Sequence, residues 1–436
     1  MTFKNKFLVG LALSAGVFMT SCEIEPVGNP NAPSIESYEN GATLSELNLL
    51  ATGTEAVLRN DLAFYYNTVD IVGRDYYNLD GSDPRYTSEL LGVGPLDDNG
   101  FLTTRAFSAG YRAIRTAQIL LNAVPNTVAS LSAAQVAGYN GFANTLIAYN
   151  QLLLLNRQFE NGIRIDVSDP DNLGAFVGYS EALASIASRL DQADSDLSGA
   201  EFPFSLSGGF ASVGQDAAGF RQFNRAIAAR VALYQSGTNN SKALGVLGDS
   251  FFSLDGDLTT GAYHTFSPSG NDMPNPLFNV PGVNNTMAHP GWVEDAEAGD
   301  TRLSKVTEQA AAVSLDGLSS PYLVTLYASN ASQVPIITNE ELVLIYAEAN
   351  IGGDNAEAVN AINVIRTAAG LAEYSGDTSD SALLDEVLQQ RRYSLYGQGH
   401  RWLDLRRTGN LDRIDILRDG ASVHVQFPTP VAEDGE

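Results

Sequence analysis

Val387 to Gly409 reads VLQQRRYSLYGQGHRWLDLRRTG, and the fold turns on this stretch. Leu384, Val387, Leu388, Arg391 and Leu395 recur at three- and four-residue steps, which lays an apolar stripe along one face of a helix. Gly397 and Gly399 then stop that helix. Beyond them Arg401, Arg406 and Arg407 join Arg391 and Arg392 around one carboxylate, Asp404, and the indole of Trp402. Guanidinium groups at this density suit forked contacts with carboxylates and helix carbonyls, so the stretch is expected to be a structural clasp.

Working outward, the clearest helical hairpin lies just upstream, within Pro335 to Leu371. Leu342, Ile345, Tyr346 and Ala349 line one helix, Gly352-Gly353 turns, and Ala358, Val359, Ile362, Ile365 and Ala369 line the next. Similar stripes mark Leu44 to Leu58, Phe101 to Asn122, Ser132 to Phe159, Tyr179 to Leu197 and Phe220 to Tyr234. Hairpins that cannot bury their apolar faces alone must stack. Between them, Asp61 to Gly100 has poor periodicity and is expected to be a structured excursion. Gln235 to Val334 is rich in Gly, Pro, Asn and Ser, too long for a connector and too apolar for disorder, so an irregular subdomain with short strands is expected. Val423 to Phe427 alternates like a short edge strand.

The paired Arg, the Leu three residues on and the run G-x-G-H-R-W-x-D-L-R-R-T-G resemble the closing signature of the SusD/RagB family of bacterial outer-membrane nutrient-binding lipoproteins. Leu344-Ile-Tyr-Ala-Glu-Ala349 and Ala361-Ile-Asn-Val-Ile-Arg-Thr-Ala-Ala-Gly-Leu371 resemble its last hairpin, and Tyr111 to Asn122 and Asn224 to Tyr234 resemble two earlier helices. The family commonly has Glu where Gln390, Ser394 and Gln398 stand, so the clasp arginines here must find other acids. The resemblance implies an all-α dominated, SusD-like fold: one domain over 41–436, with tetratricopeptide-like helical repeats at about 41–234 and 335–409 and a loop-rich ligand-side insertion at about 235–334. It implies a non-catalytic protein that captures an oligosaccharide, a polysaccharide or, in some branches, a peptide for a TonB-dependent, SusC-like transporter.

Compartment is written at the other end. Lys4 and Lys6 precede the apolar run Phe7 to Met19, too short to span a bilayer and suited to a signal peptide covering 1–21. The only cysteine, Cys22, follows at once, which resembles a lipoprotein processing site. Residues 22–40 are expected to be lipid anchor and tether, since Pro26, Pro30 and Pro33 prevent an early helix. Asn29-Pro30-Asn31 and the acids Glu23 and Glu25 also resemble the family's start, and an outward-facing, lipid-anchored position on the outer membrane follows from that likeness.

A formal charge of −26 and only four Lys exclude a nucleic-acid partner on electrostatic grounds. The four His are scattered, and no zincin, nucleophile-elbow, Walker or dinucleotide motif is present, so neither an enzyme nor a cofactor is expected. Asp166, Asp169 and Asp171, or Asp255 with Asp257, have the oxygen-rich composition that a structural calcium takes, although solvated turns explain them as well. The competing classes are a surface glycoside hydrolase and a pure assembly scaffold. For a glycan platform, exposed aromatics beside polar groups are needed. The candidates are Trp292 first, then Tyr76, Tyr77, Tyr66, Arg74 and Asp75 in the first excursion, with Tyr263 and Asn284 in the second.

Overall fold

In the computed structural model, which describes residues 35–280, 282–419 and 421–433, the apolar stripes become helices packed one on the next. Cys22, the expected signal peptide and most of the tether lie outside the described residues. Helix α1 (Leu44–Ala56) opens with a capping box, in which the Thr43 hydroxyl accepts the Glu46 amide and the Glu46 carboxylate accepts the Thr43 amide. Then come α2 (Leu62–Val72), α3 (Phe101–Ala123), α4 (Ala133–Gln158), α5 (Tyr179–Leu197) and α6 (Ala217–Ser236). Ser132 and Gln135 box the start of α4, and Asp216 caps α6. Helix α4 is covered by α3 on one side and α5 on the other, which accounts for its run of buried Leu152, Leu154 and Leu155. At Gly141 a Cβ would lie 2.5 Å from Leu197, so only Gly lets α4 and α5 approach this closely.

The hairpin follows as α7 (Asn339–Asn350) and α8 (Asn355–Ala368), and the clasp as α9 (Asp380–Ser394) and α10 (Arg401–Arg407). Gly397 and Gly399 between the last two have φ of +74° and +70°, the left-handed backbone that ends a helix.

Strands are short: β1 (Tyr76–Asn78), β2 (Ile163–Arg164), β3 (Phe176–Val177), β4 (Gly261–His264), β5 (Thr286–Ala288), β6 (Val306–Leu315), β7 (Leu318–Val324) and β8 (Val334–Thr338). An antiparallel sheet runs in the order β1-β5-β7-β6, while β2 pairs with β3 and β4 with β8. The insertion is therefore more regular than its composition suggests, and it recruits β1 from the first excursion. Two local expectations change. Leu62–Val72 is helical, because Leu62, Tyr65, Tyr66, Val69 and Val72 bury one face. Val423 to Phe427 forms no ladder, because other groups take its backbone. Its His424 and Val425 carbonyls accept from Trp402 Nε1 (2.8 Å) and Arg406 Nη1 (2.9 Å), and the Phe427 amide donates to the Arg157 carbonyl at 2.8 Å.

The clasp is a structural hub. Arg391 Nε donates to Asp404 Oδ2 at 2.6 Å, and Arg407 Nε to Asp404 Oδ1 at 3.0 Å. Arg407 also forks onto Glu348 of α7, at 2.7 Å for its Nη2, and Arg406 Nη2 reaches the Asn156 carbonyl of α4 at 2.7 Å. Other acids thus replace the missing Glu: Arg392 pairs with Asp295 at 2.9 Å, and Arg407 with Glu348. Ser394 serves as an acceptor for Arg302 at 2.9 Å. Burial pushes Asp404 up, but Arg391 and Arg407 outweigh it and hold its carboxyl at about 2.

Candidate functional site

The aromatic platform expected around Trp292 is core. Trp292 is 0% exposed, its ring lies 4.1 Å from that of Tyr396 and 5.3 Å from that of Tyr393, and its carbonyl accepts the Tyr393 hydroxyl at 3.1 Å. Pro290 starts a short helix capped by His289 Nδ1, and this turn swings the indole inward. Tyr66, Tyr76 and Tyr77 are buried in the same cluster. Arg74 is buried too, forking onto Asp419 at 2.9 Å and the Leu91 carbonyl at 2.7 Å. Asp75 is fully enclosed and its carboxyl is raised by burial, against the pull of Arg401, Arg392 and Lys305; neighbouring Asp70 is raised by burial and by Asp75. Tyr263 and Asn284 keep partial exposure, but Tyr263 donates to the Thr259 carbonyl and Asn284 Oδ1 accepts the Val280 amide at 3.2 Å. These eight residues do not assemble into a binding surface.

A different place has the geometry of one. A cleft of about 620 Å³, within the usual range for ligand sites, opens between α3, the β2–β3 connection and the C-terminal turn Val431–Glu433. Thr104, Ser108, Tyr111 and Arg115 follow one another along α3 at steps of four, three and four, so they form a single stripe facing it. Phe107, Val167, Pro170, Leu173 and Pro430 supply an apolar lining, and Asn99 and Arg112 add polar groups. A groove of about 630 Å³ along α5 is lined by Ser, Ala, Gln and charged residues without a ring, and lacks this mixture.

Tyr111 builds the floor rather than the rim. Its hydroxyl oxygen accepts the Arg164 amide at 2.9 Å, which pins β2 to α3, and its ring packs 4.9 Å from Phe107. Burial pushes the phenol up, so it stays protonated. Arg164 lies 4.6 Å over the Phe176 ring, pairs with Glu433 at 3.0 Å and donates to the Gly174 carbonyl at 2.7 Å. Arg115 and Arg112 face outward: Arg115 is 3.8 Å from Glu39, and Arg112 is 2.9 Å from Asp61. Asp61 also meets Arg105 at 2.5 Å. Although it occupies the N-cap position of α2, Asp61 has φ +53° and makes no cap bond, so its carboxylate serves the two arginines instead.

Among the described residues no group of three or more His, Cys, Asp or Glu is placed to hold a metal ion. Asp166 and Asp257 close their own turns, accepting the Ser168 amide at 3.1 Å and the Thr259 amide at 2.8 Å. Likewise, Asp169 accepts the Asp171 amide at 3.0 Å.

Residues 330–432, which contain α7 to α10, match the SusD family model. Over those residues the chain is similar to the SusD family, and its fold is that of SusD-like proteins. A SusD superfamily protein from Bacteroides vulgatus shares its fold with a TM-score of 0.66 at 16% identity, over 89% of this chain and 96% of its own. A laminarin-binding SusD-like protein gives 0.68 at 16% identity, over 91% and 98%. Surface glycan-binding protein A from Bacteroides thetaiotaomicron gives 0.70 at 12% identity, over 91% and 97%. No curated protein matches the chain significantly in sequence. Among the described residues, no helix is long and apolar enough to cross a membrane.

Proposed function

We propose that this protein is a SusD-family member, a lipid-anchored, surface-exposed protein of the outer membrane that captures an oligosaccharide or polysaccharide without cleaving it and delivers it to a TonB-dependent, SusC-like transporter. The observation that carries the reading is the cleft on α3, which combines an apolar lining with a hydroxyl and guanidinium rim on a fold shared with glycan-binding proteins. Sugars present C–H faces to the former and hydroxyls to the latter. Covering about 40 Å² of apolar surface contributes about 1 kcal/mol, whereas millimolar affinity needs about 4 kcal/mol. Binding therefore needs the lining and several rim hydrogen bonds together. Cys22 after its short apolar run supports the anchor.

The test is titration of the full mature chain with a panel of oligosaccharides, followed by product analysis. Ligand should bind and be recovered intact. Ser108 is exposed on the cleft face, so Ser108→Trp should fill the cleft and abolish binding at an unchanged melting temperature. Wild-type affinity in that variant contradicts the site, and shortened products contradict the capture role. Cys22→Ala should release the protein from the membrane fraction, and tagged wild type should copurify with a TonB-dependent transporter.

A further inference from the structure

The cleft sits in a protein of formal charge −26, yet three arginines, Arg112, Arg115 and Arg164, line it against one acid, Glu433, which pairs with Arg164. Arg105 and Arg112 keep 52% and 55% of their side chains exposed, more than any other arginine in an ion pair between described residues, and both rely on one carboxylate, Asp61. Arg115 stands 3.8 Å from Glu39, the longest arginine–carboxylate separation among those pairs. Arg112 and Arg115 are three residues apart on α3, where like charges are neighbours and repel. Their two forks border the same cleft with less than one committed carboxylate each. Asp61 reaches its two arginines only through a left-handed backbone, which is costly for a residue other than glycine.

Resting on the reading of the cleft as a glycan site, we propose that it selects glycans bearing carboxylate groups, one of which is held between Arg112 and Arg115. A guanidinium fork matches a planar carboxylate with two parallel hydrogen bonds, a geometry that a neutral hydroxyl cannot reproduce. The acidic surface as a whole repels anions, so a local cationic rim is what admits one, and the attraction is sensitive to salt. Three arginines over one cleft do not form the phosphate-tracking array of a nucleic-acid groove. The apolar lining beside them suits the C–H face of a uronate ring.

The experiment is calorimetric titration of the full mature protein with galacturonate oligomers and with neutral glucose oligomers of equal length. Both are run at about 0.01 M and about 0.15 M ionic strength, between which the screening length falls from about 30 Å to about 8 Å. Galacturonate should bind at least about tenfold more tightly at low salt, and the gap should narrow at high salt. Arg112→Gln combined with Arg115→Gln should erase the preference, lowering galacturonate affinity far more than neutral affinity, at an unchanged melting temperature. Asp61→Asn, which removes the competing carboxylate with a residue that tolerates left-handed backbone, should strengthen galacturonate binding severalfold. Equal affinity for the two glycans, or a preference that survives the double substitution, overturns the charge selection while leaving the glycan site standing. Binding of neither glycan overturns both. An acidic peptide that binds as tightly as galacturonate overturns the assignment to glycans.

Discussion

Arginine has opposite fates in two regions of this molecule. In the clasp, Arg391 and Arg406 are buried and Arg407 keeps only 8% of its side chain exposed, each with a carboxylate or backbone carbonyls at 3.0 Å or less. At the cleft, Arg112 remains open to solvent and shares Asp61 with Arg105, and the half-buried Arg115 has its nearest carboxylate 3.8 Å away. The difference teaches where a charge is structure and where it is available. Burial makes an unpaired guanidinium too costly to keep, so a clasp arginine is committed to its partners, whereas a solvated one can exchange its carboxylate for a ligand's.

The largest effect should come from breaking the clasp. Asp404→Asn deprives Arg391 of its carboxylate and Arg407 of one of two, and should cost about 3–5 kcal/mol in thermal or denaturant unfolding. A loss below about 1 kcal/mol would mean that the clasp charges are not committed. Trp402→Ala, which removes a buried indole bonded to the His424 carbonyl, should cost about 3–5 kcal/mol. Trp292→Ala belongs to the same class, and the folded fraction of either variant should bind ligand like the wild type.

Acidity sharpens the contrast inside the buried half. Asp404 is held low, so its stabilisation is complete above the ordinary Asp value and is lost as pH falls toward about 2. Asp75 is raised, so its contribution is greatest below the ordinary value and declines as pH rises toward its elevated one. Between those two values Asp75→Asn should gain stability relative to wild type by about 1.4 kcal/mol per pH unit, measured by urea unfolding from acid to neutral pH. A pH-independent difference would show that Asp75 ionises freely. At the small end, Arg105→Ala should change stability by no more than about 1 kcal/mol, since its pair is solvated.

The frame was legible in the sequence because apolar spacing is local. The stripes of α7 to α9 and the glycines after them need no knowledge of what packs on them. Partners are not local. Gln390, Ser394 and Gln398 showed that the clasp lacked nearby acids, but Glu348 and Asp295 come from well upstream. The aromatic candidates failed for the same reason: His289-Pro290-Gly291 does encode a turn, yet the rings that cover Trp292 lie about a hundred residues downstream. The cleft was missed because Thr104, Ser108, Arg112 and Arg115 spell an ordinary solvent face of α3. It becomes concave only when 164–173 and 430–433 fold against it.

The central claim is that binding and stability reside in different arginines, and one paired measurement tests it most directly: melting temperature and glycan affinity of Arg112→Gln/Arg115→Gln beside Asp404→Asn. The account predicts that the cleft variant melts like wild type and loses galacturonate affinity, while the clasp variant melts lower and, where folded, binds normally. A cleft variant that binds fully, or a clasp variant that loses binding without losing stability, would contradict it.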